Sequence, residues 1–511
     1  MKNKKLIYVL AICIAILTAT VIHKTLENDT FFTIPTGNYI LQNGVDEAEP
    51  FTWHENLKFT KLRWGFDVLV ATIYNLCGFT GLYIFIIIMS ILIGESLFIT
   101  LVKRKNNPLV SFLISLFIVM SIKECLKCRG QIMSYLFFIW EIYSIQMLLE
   151  TGKKKYTAYL VIISFLILTF HSSVWLAHFI FYAPYILEWI LNKIKVHSVI
   201  EKTGKLELVE RDNKTMKLFF ATIGIVLLTG LCTPLKLSPY TYMFKVIGGF
   251  SSEIILELQK QKIAETKELL TIVIGILGIL SITKTKIKFT DVCLVVGLMI
   301  MSTLAVRNMF IALVVLASPI ASLITSYIQT FNKQEIFDKI DAKMNNNYFI
   351  LTIILLVCTA ISINNYRNIY KEEYVDELSY PVEASDYILN NIDIENMRLY
   401  NHFNFGSYLE FRGIPTFIDS RSEVYCEEFN NVLILKDFAY FDLDLTISPE
   451  EMVEKYGITH FIFTANNANA SNMKYNDKYS LIYDDDKFVI FEVKNDDTID
   501  VNIDDVILIE E

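Results

Sequence analysis

The feature that most constrains this chain is a succession of apolar runs, at about 6–22, 81–102, 108–122, 131–149, 157–171, 173–191, 218–233, 268–283, 289–305, 309–329 and 348–364. As helices, the longer runs cross a hydrocarbon layer of ~30 Å, and the shorter ones fit inside a bundle. A soluble globule has no use for so many. With 53% hydrophobic and 20% charged residues in 511, the chain is expected to be a polytopic α-helical membrane protein of about eleven transmembrane helices. The first run follows Lys2, Lys4 and Lys5 and lacks a small-residue cleavage site, so it reads as an uncleaved first helix.

Basic residues orient the bundle, because short loops rich in Lys and Arg stay cytoplasmic. With the N-terminus inside, the inner loops carry Lys103–Lys105, Lys153–Lys155, the basic stretch from Lys193 to Lys217, Lys284/Lys286/Lys288 and Lys333/Lys339/Lys343. An odd number of crossings then delivers the tail outside. Division after Asn364 separates 35 Lys and Arg against 24 Asp and Glu from 11 against 31, a net +11 followed by a net −20. The expected domains are therefore 1–364, a transmembrane part with a long first outer loop at 23–80, and 365–511, an acidic extracytoplasmic α/β domain. Its acidity argues against a nucleic-acid or anionic-surface partner.

Within the tail, strands are expected at Arg398–His402, Thr416–Asp419, His460–Thr464, Tyr479–Tyr483 and Lys487–Val493. Helices are expected at Val382–Asn390, Tyr425–Asp437 and Pro449–Tyr456, and a hairpin turn at Tyr483–Lys487. In the first outer loop, Trp64–Cys77 reads as an amphipathic interfacial helix. A second long outer segment, Thr233–Lys267, is punctuated by Pro234, Pro239 and Gly248-Gly249.

No Gly-rich phosphate loop, HExxH or GxSxG pattern is present. Polar residues gather instead at the outer ends of helices, whereas a transporter places them near the midplane. Asp29 follows the first helix, where its carboxylate can take a proton from an acceptor or simply cap a short helix. Asp46, Glu47 and Glu49 form an acidic cluster that offers oxygen ligands to a divalent cation or is merely solvated. Arg129, with Lys123 and Lys127, lies on the outer side against the inside-positive trend, where it suits a phosphate. Arg307-Asn308 follows a later helix in the same way, and His171 ends another as ligand or cap. Glu141 sits within an apolar run and needs a partner there. Cys125-Leu126-Lys127-Cys128 is a CxxC lacking the second Cys/His pair of a zinc site.

Several stretches carry a resemblance. Asp29-Thr30-Phe31-Phe32-Thr33-Ile34-Pro35-Thr36-Gly37-Asn38-Tyr39-Ile40, with Gly44 and Glu49-Pro50-Phe51-Thr52-Trp53, resembles the first outer loop of bacterial GT-C superfamily glycosyltransferases. Arg129-Gly130-Gln131, Phe170-His171-Ser172-Ser173, Thr233-Pro234-Leu235 and Arg307-Asn308 are similar to short motifs of that group. In the tail, Gly406-Ser407-Tyr408-Leu409 and Pro415-Thr416-Phe417-Ile418-Asp419-Ser420-Arg421, followed by Tyr425, resemble it most specifically. Leu62-Arg63-Trp64 departs from the pattern, which often has His-Glu before the Trp.

The resemblance implies a multi-pass cell-membrane enzyme that moves a hexosyl or pentosyl group from a polyprenyl-phosphate-linked donor to an extracytoplasmic glycan, lipid or protein. Membrane lipids would be further partners. It implies Asp29 as base with Asp46 and Glu47 as runners-up, and Arg129, His171 and Arg307 as the lipid-phosphate site, to which the position of Lys123 and Lys127 beside Arg129 adds those two residues. Two other classes fit the composition: a non-catalytic envelope scaffold, and a transporter or lipid flippase using Glu95 or Glu141.

Overall fold

The computed structural model describes residues 3–194, 204–260, 271–276, 278, 285–331 and 333–494. The chain divides into two compact units.

The first unit comprises Met1–Lys24, Thr80–Tyr240 and Leu256–Glu372 and is almost entirely helical. Among the described residues, five helices of the chain are long and apolar enough to cross a membrane: Trp64–Lys103, Pro108–Cys125, Gln131–Thr151, Asn308–Thr330 and Tyr348–Ile369. Phe289–Leu304 is apolar but shorter. The first run forms Lys4–Ala19, whose Leu6, Leu10 and Ile14 pack with Phe98 and Leu351. The run at 157–171 forms Lys154–Phe170, and that at 218–233 forms Asn213–Thr229. The run at 268–283 falls largely outside the described residues.

The run at 173–191 is not one helix. It breaks into the 3-10 turns Ser172–Val174 and Ala177–Phe181 before the helix Ala183–Lys193. Pro184 lies in that helix's first turn, where a missing N–H costs nothing, so a new start is favoured there over continuation. Short strands β1 (Leu206–Glu207) and β2 (Ile287–Lys288) pair in parallel. Polar pairs tie the apolar helices together: Gln146 Nε2 donates to Ser318 Oγ at 2.9 Å, and Ser164 and Thr229 hydroxyls meet at 2.7 Å.

The second unit comprises Thr25–Phe79, Thr241–Ile255 and Glu373–Glu511. Its sheet has the order β3-β4-β6-β5, with β3 Leu399–Asn401, β4 His460–Thr464, β5 Tyr479–Asp484 and β6 Phe488–Val493. β3 and β4 are parallel and the other neighbours antiparallel. The helix Pro449–Tyr456 starts on a capping box between Ser448 and Glu451. The expected helix at 425–437 is instead two short pieces, Glu427–Asn430 and Ile434–Phe438, separated by Asn431 at φ 53°.

Thr416–Asp419 joins no strand ladder. Its main chain is served by other partners: Phe417 N–H donates to Asn401 Oδ1 at 2.8 Å, and Asn401 Nδ2 donates to Ile418 O at 2.6 Å. Thr416 otherwise forms one isolated bridge, to Thr52. The core mixes distant stretches. Phe32, Leu57 and Phe59 are buried among Tyr400, Phe417, Tyr425, Phe461 and Phe491, with Phe250 and Ile254 packed against them.

Candidate functional site

Within the second unit, Asp29 lies in the first turn of the helix Asn28–Asn43 and is half-buried. An acidic side chain there is favoured by the exposed N–H groups of a helix start. Anchors hold the helix on both sides of Asp29. Asn28 Nδ2 donates to Phe403 O at 2.9 Å. Phe31 sits edge-on to Tyr380 and Tyr408, with ring centroids 4.8 and 5.0 Å away. One turn on, Thr33 Oγ1 donates to the Asp29 carbonyl at 2.7 Å and accepts from Arg63 Nη2 at 2.9 Å. Arg63 also stacks over Phe32 at 4.3 Å and stands 3.4 Å from Asp67. Arg63, the departure from the resemblance, thus braces the Asp29 helix.

That helix lies against the chain that begins at Trp64. A Cβ on Gly37 would stand 2.0 Å from Asp67 O, so only glycine permits this approach. The helical stretch Trp64–Lys103 is interrupted at Gly78, whose φ of 61° also favours glycine.

Asp46 and Glu49, neighbours in sequence, turn to different cations. Asp46 accepts from Lys61 Nζ at 2.7 Å and from Tyr39 Oη at 2.7 Å. Burial raises the Asp46 carboxyl, but these hydrogen bonds outweigh it and hold the group below its ordinary range. Lys61 is fully buried and also donates to the carbonyls of Asp46 and Ala48. Glu47 is exposed.

Glu49 joins a buried charge cluster. Its carboxylate accepts from Arg421 Nη1 at 2.6 Å and Nη2 at 3.1 Å. Arg421 also bonds Asp419, through Nε at 2.9 Å and Nη2 at 2.6 Å, and it bonds Glu410. Tyr425 Oη donates to Asp419. One guanidinium thus meets three carboxyl groups, beneath the rings of Phe32, Phe51 and Phe59. Burial, with neighbouring Asp419, drives Glu410 well above the ordinary carboxyl range, whereas Arg421 holds Asp419 below it against burial. The Asp419–Arg421 ion pair is therefore part of a larger network. His54, half-buried beside this core with Nε2 3.0 Å from Phe417 O, is pushed down to about 3 by desolvation and stays neutral.

In the first unit, the chain between Ile122 and Gln131 carries the expected cations. Arg129 Nη1 donates to Glu257 Oε1 at 2.5 Å. The Glu257 main-chain carbonyl in turn accepts from Arg307 N–H at 3.1 Å, and Gln259 O accepts from Val306 N–H at 3.1 Å. Glu257 therefore joins the segments bearing Arg129 and Arg307, a link no local motif signals. Lys123 is exposed, 3.5 Å from Glu124, and Lys127 is half-buried. His171 is buried, with Nδ1 2.7 Å from Ser134 Oγ, one turn along the helix that follows Arg129. Deeper in the bundle, His178 Nδ1 and Glu141 Oε1 are 2.5 Å apart, both side chains 1% exposed. Among the described residues, no group of three or more His, Cys, Asp or Glu is arranged to hold a metal ion.

No protein-family model matches the sequence, and no curated protein does. Solved structures match in fold. An oligosaccharyltransferase of Archaeoglobus fulgidus, tethered with an acceptor peptide containing the NVT sequon, superposes with a TM-score of 0.59 at 11% identity, over 90% of this chain and 69% of that one. The same organism's AglB, in complex with an inhibitory peptide and a dolichol-phosphate, gives 0.58 at 10% identity over 97% and 75%. ArnT of Cupriavidus metallidurans, bound to undecaprenyl phosphate, gives 0.52 at 9% identity over 96% and 98%. The chain shares its fold with the oligosaccharyltransferase and with ArnT. At these identities the likeness is one of architecture, and it covers nearly the whole of this chain.

Proposed function

We propose that the chain is a membrane glycosyltransferase that moves a sugar from a polyprenyl-phosphate-linked donor to an extracytoplasmic glycan, lipid or protein. The observation carrying this reading is a fold shared over 96% of the chain with a protein captured with undecaprenyl phosphate, and over 97% with one captured with dolichol-phosphate. In this reading the acceptor nucleophile attacks the anomeric carbon and Asp29 takes its proton. The polyprenyl phosphate leaves with the bonding electrons. Arg129 and Arg307, with Lys123, Lys127 and His171, hold the departing phosphate, since neutralising developing charge is the main catalytic demand.

In this reading the chain crosses the membrane about eleven times, with the N-terminus cytoplasmic, and residues 1–364 form the membrane part. Residues 365–511 form the outer domain. Supporting this orientation, stretches assigned outside by the basic residues, from the first loop, the 233–267 segment and the tail, build one compact unit with a common core. Glu141, which a transport path would use, is engaged by His178, and this favours transfer over transport.

The test is transfer by the purified chain from labelled polyprenyl-phosphate sugars to envelope acceptors, with Asp29→Asn beside wild type. Loss of at least about 100-fold is expected, the scale of general-base catalysis. Equal rates would remove Asp29 as base. Absence of transfer with intact partner capture would favour the scaffold reading.

A further inference from the structure

The contact between Arg129 and Glu257 places a carboxylate on the cation that suits a phosphate. Arg129 is 19% exposed and Glu257 49% exposed, and their closest approach is 2.5 Å. The backbone on either side is fixed. Glu257 O and Gln259 O each accept a main-chain N–H from the 306–307 segment, so the Glu257 side chain can swing while its main chain stays in place. Glu257 is thus held between the segment that carries Arg129 and the one that carries Arg307.

We propose that the Glu257 carboxylate is a built-in stand-in for the donor's phosphate, occupying Arg129 when no donor is bound and yielding it when one arrives. This rests on the lipid-phosphate reading above. The physical case is the asymmetry of the two anions. A half-exposed Glu carboxylate gains little from one cation, because solvent screens the pair and the long side chain is ordered by it. A phosphate headgroup has more acceptor oxygens and more charge, and the planar guanidinium fork suits it in two-point contacts. Exchange therefore favours the phosphate. A neutral headgroup has no charge with which to displace Glu257, so the exchange also selects for anionic carriers.

The experiment measures binding of undecaprenyl phosphate, and separately of inorganic phosphate, to the intact chain in nanodiscs. Wild type, Glu257→Gln, Glu257→Asp and Arg129→Gln are compared. Glu257→Gln, which keeps size and polarity but drops the charge, is expected to bind undecaprenyl phosphate roughly three- to fivefold more tightly, the factor a half-exposed pair supplies. Glu257→Asp is expected to stay near wild type, and Arg129→Gln to bind more weakly. If Arg129→Gln weakens binding while Glu257→Gln leaves it unchanged or weaker, the stand-in role is overturned and the phosphate site survives. If inorganic phosphate alone gains from Glu257→Gln, the site selects free phosphate and the lipid headgroup is overturned as occupant. If Arg129→Gln changes nothing, the role of Arg129 in the proposed function falls, and the stand-in with it.

Discussion

Glu49 and Arg421, 372 positions apart in sequence, share two hydrogen bonds of 2.6 and 3.1 Å inside the second unit, with both side chains at most 1% exposed. A charge pair this deep does not come cheaply, since both groups give up water and only close geometry offsets the loss. Arg421 meets that demand with three carboxyl partners, and the aromatic faces of Phe51 and Phe59 at 5.2 and 4.8 Å add to it. Thr25–Phe79 and the tail are therefore parts of one compact unit.

Arg421→Met removes the cation that Glu49, Glu410 and Asp419 share, and it leaves buried carboxyls uncompensated. A loss of about 3–5 kcal/mol is expected, the scale for breaking a buried pair. Thermal melting of the intact protein in detergent checks it. A melting temperature unchanged from wild type would mean that the network contributes nothing to the fold.

Glu410 gives the network a pH dependence whose sign follows from its raised pKa. The folded state binds that proton more tightly than the unfolded chain does. Its contribution is therefore fully present below the ordinary carboxyl value and is lost as pH rises through the raised one. Asp419, held low, behaves oppositely, and its contribution is lost only as pH falls below the ordinary Asp range. The melting temperature is expected to fall from mildly acidic toward alkaline pH. Glu410→Gln, permanently neutral, should flatten that slope, and an identical slope in the variant would show that Glu410 does not hold the proton.

Gly406 makes a third case. It sits inside the helix Phe403–Phe411 and not in the turn its type suggests, and a Cβ there would stand 2.0 Å from Ile418 O and 2.9 Å from Asp419 Cα. Gly406→Ala pushes on the backbone that positions Asp419 for Arg421. A cost at or above the upper end of about 1–3 kcal/mol is expected, the range for overpacking. Differential scanning calorimetry of wild type and variant reads it directly, and a neutral result would mean the backbone yields freely.

How much of this was legible depends on the range of the interaction. The helices Pro108–Ile122 and Asn308–Thr330 follow from apolar length alone, and β4 at His460–Thr464 and the helix Pro449–Tyr456 follow from local pattern and capping. Thr416–Asp419 has the same extended, apolar look as β4. Its hydrogen bonds go to the Asn401 side chain and the 51–53 segment, which no local pattern encodes. The site divides the same way. Arg129 and Arg307 stand out in the sequence because they run against the expected inside-positive bias, but Glu257, Arg63 and Glu49 acquire their roles only from partners brought near by folding. Adjacent acidic residues made Asp46 and Glu49 look like one cluster, and the fold gives each its own cation.

Glu141 and His178 offer the sharpest test of how the helical unit tolerates polarity. Their side chains meet at 2.5 Å, and each is 1% exposed. In such a setting a lone ionisable group is costly, and each partner offsets part of that cost for the other through the single Nδ1–Oε1 contact. His178→Leu and Glu141→Leu each strand one partner, and each is expected to lower stability by about 3–5 kcal/mol, as for other broken buried pairs. The double variant strands neither, so it should recover most of that loss, giving a coupling energy well outside the about 0.3–0.5 kcal/mol within which independent sites add. Melting of the four proteins in one detergent closes the cycle. Additive losses would show that the two residues do not act as a pair. Recovery in the double variant would assign the pair to the fold.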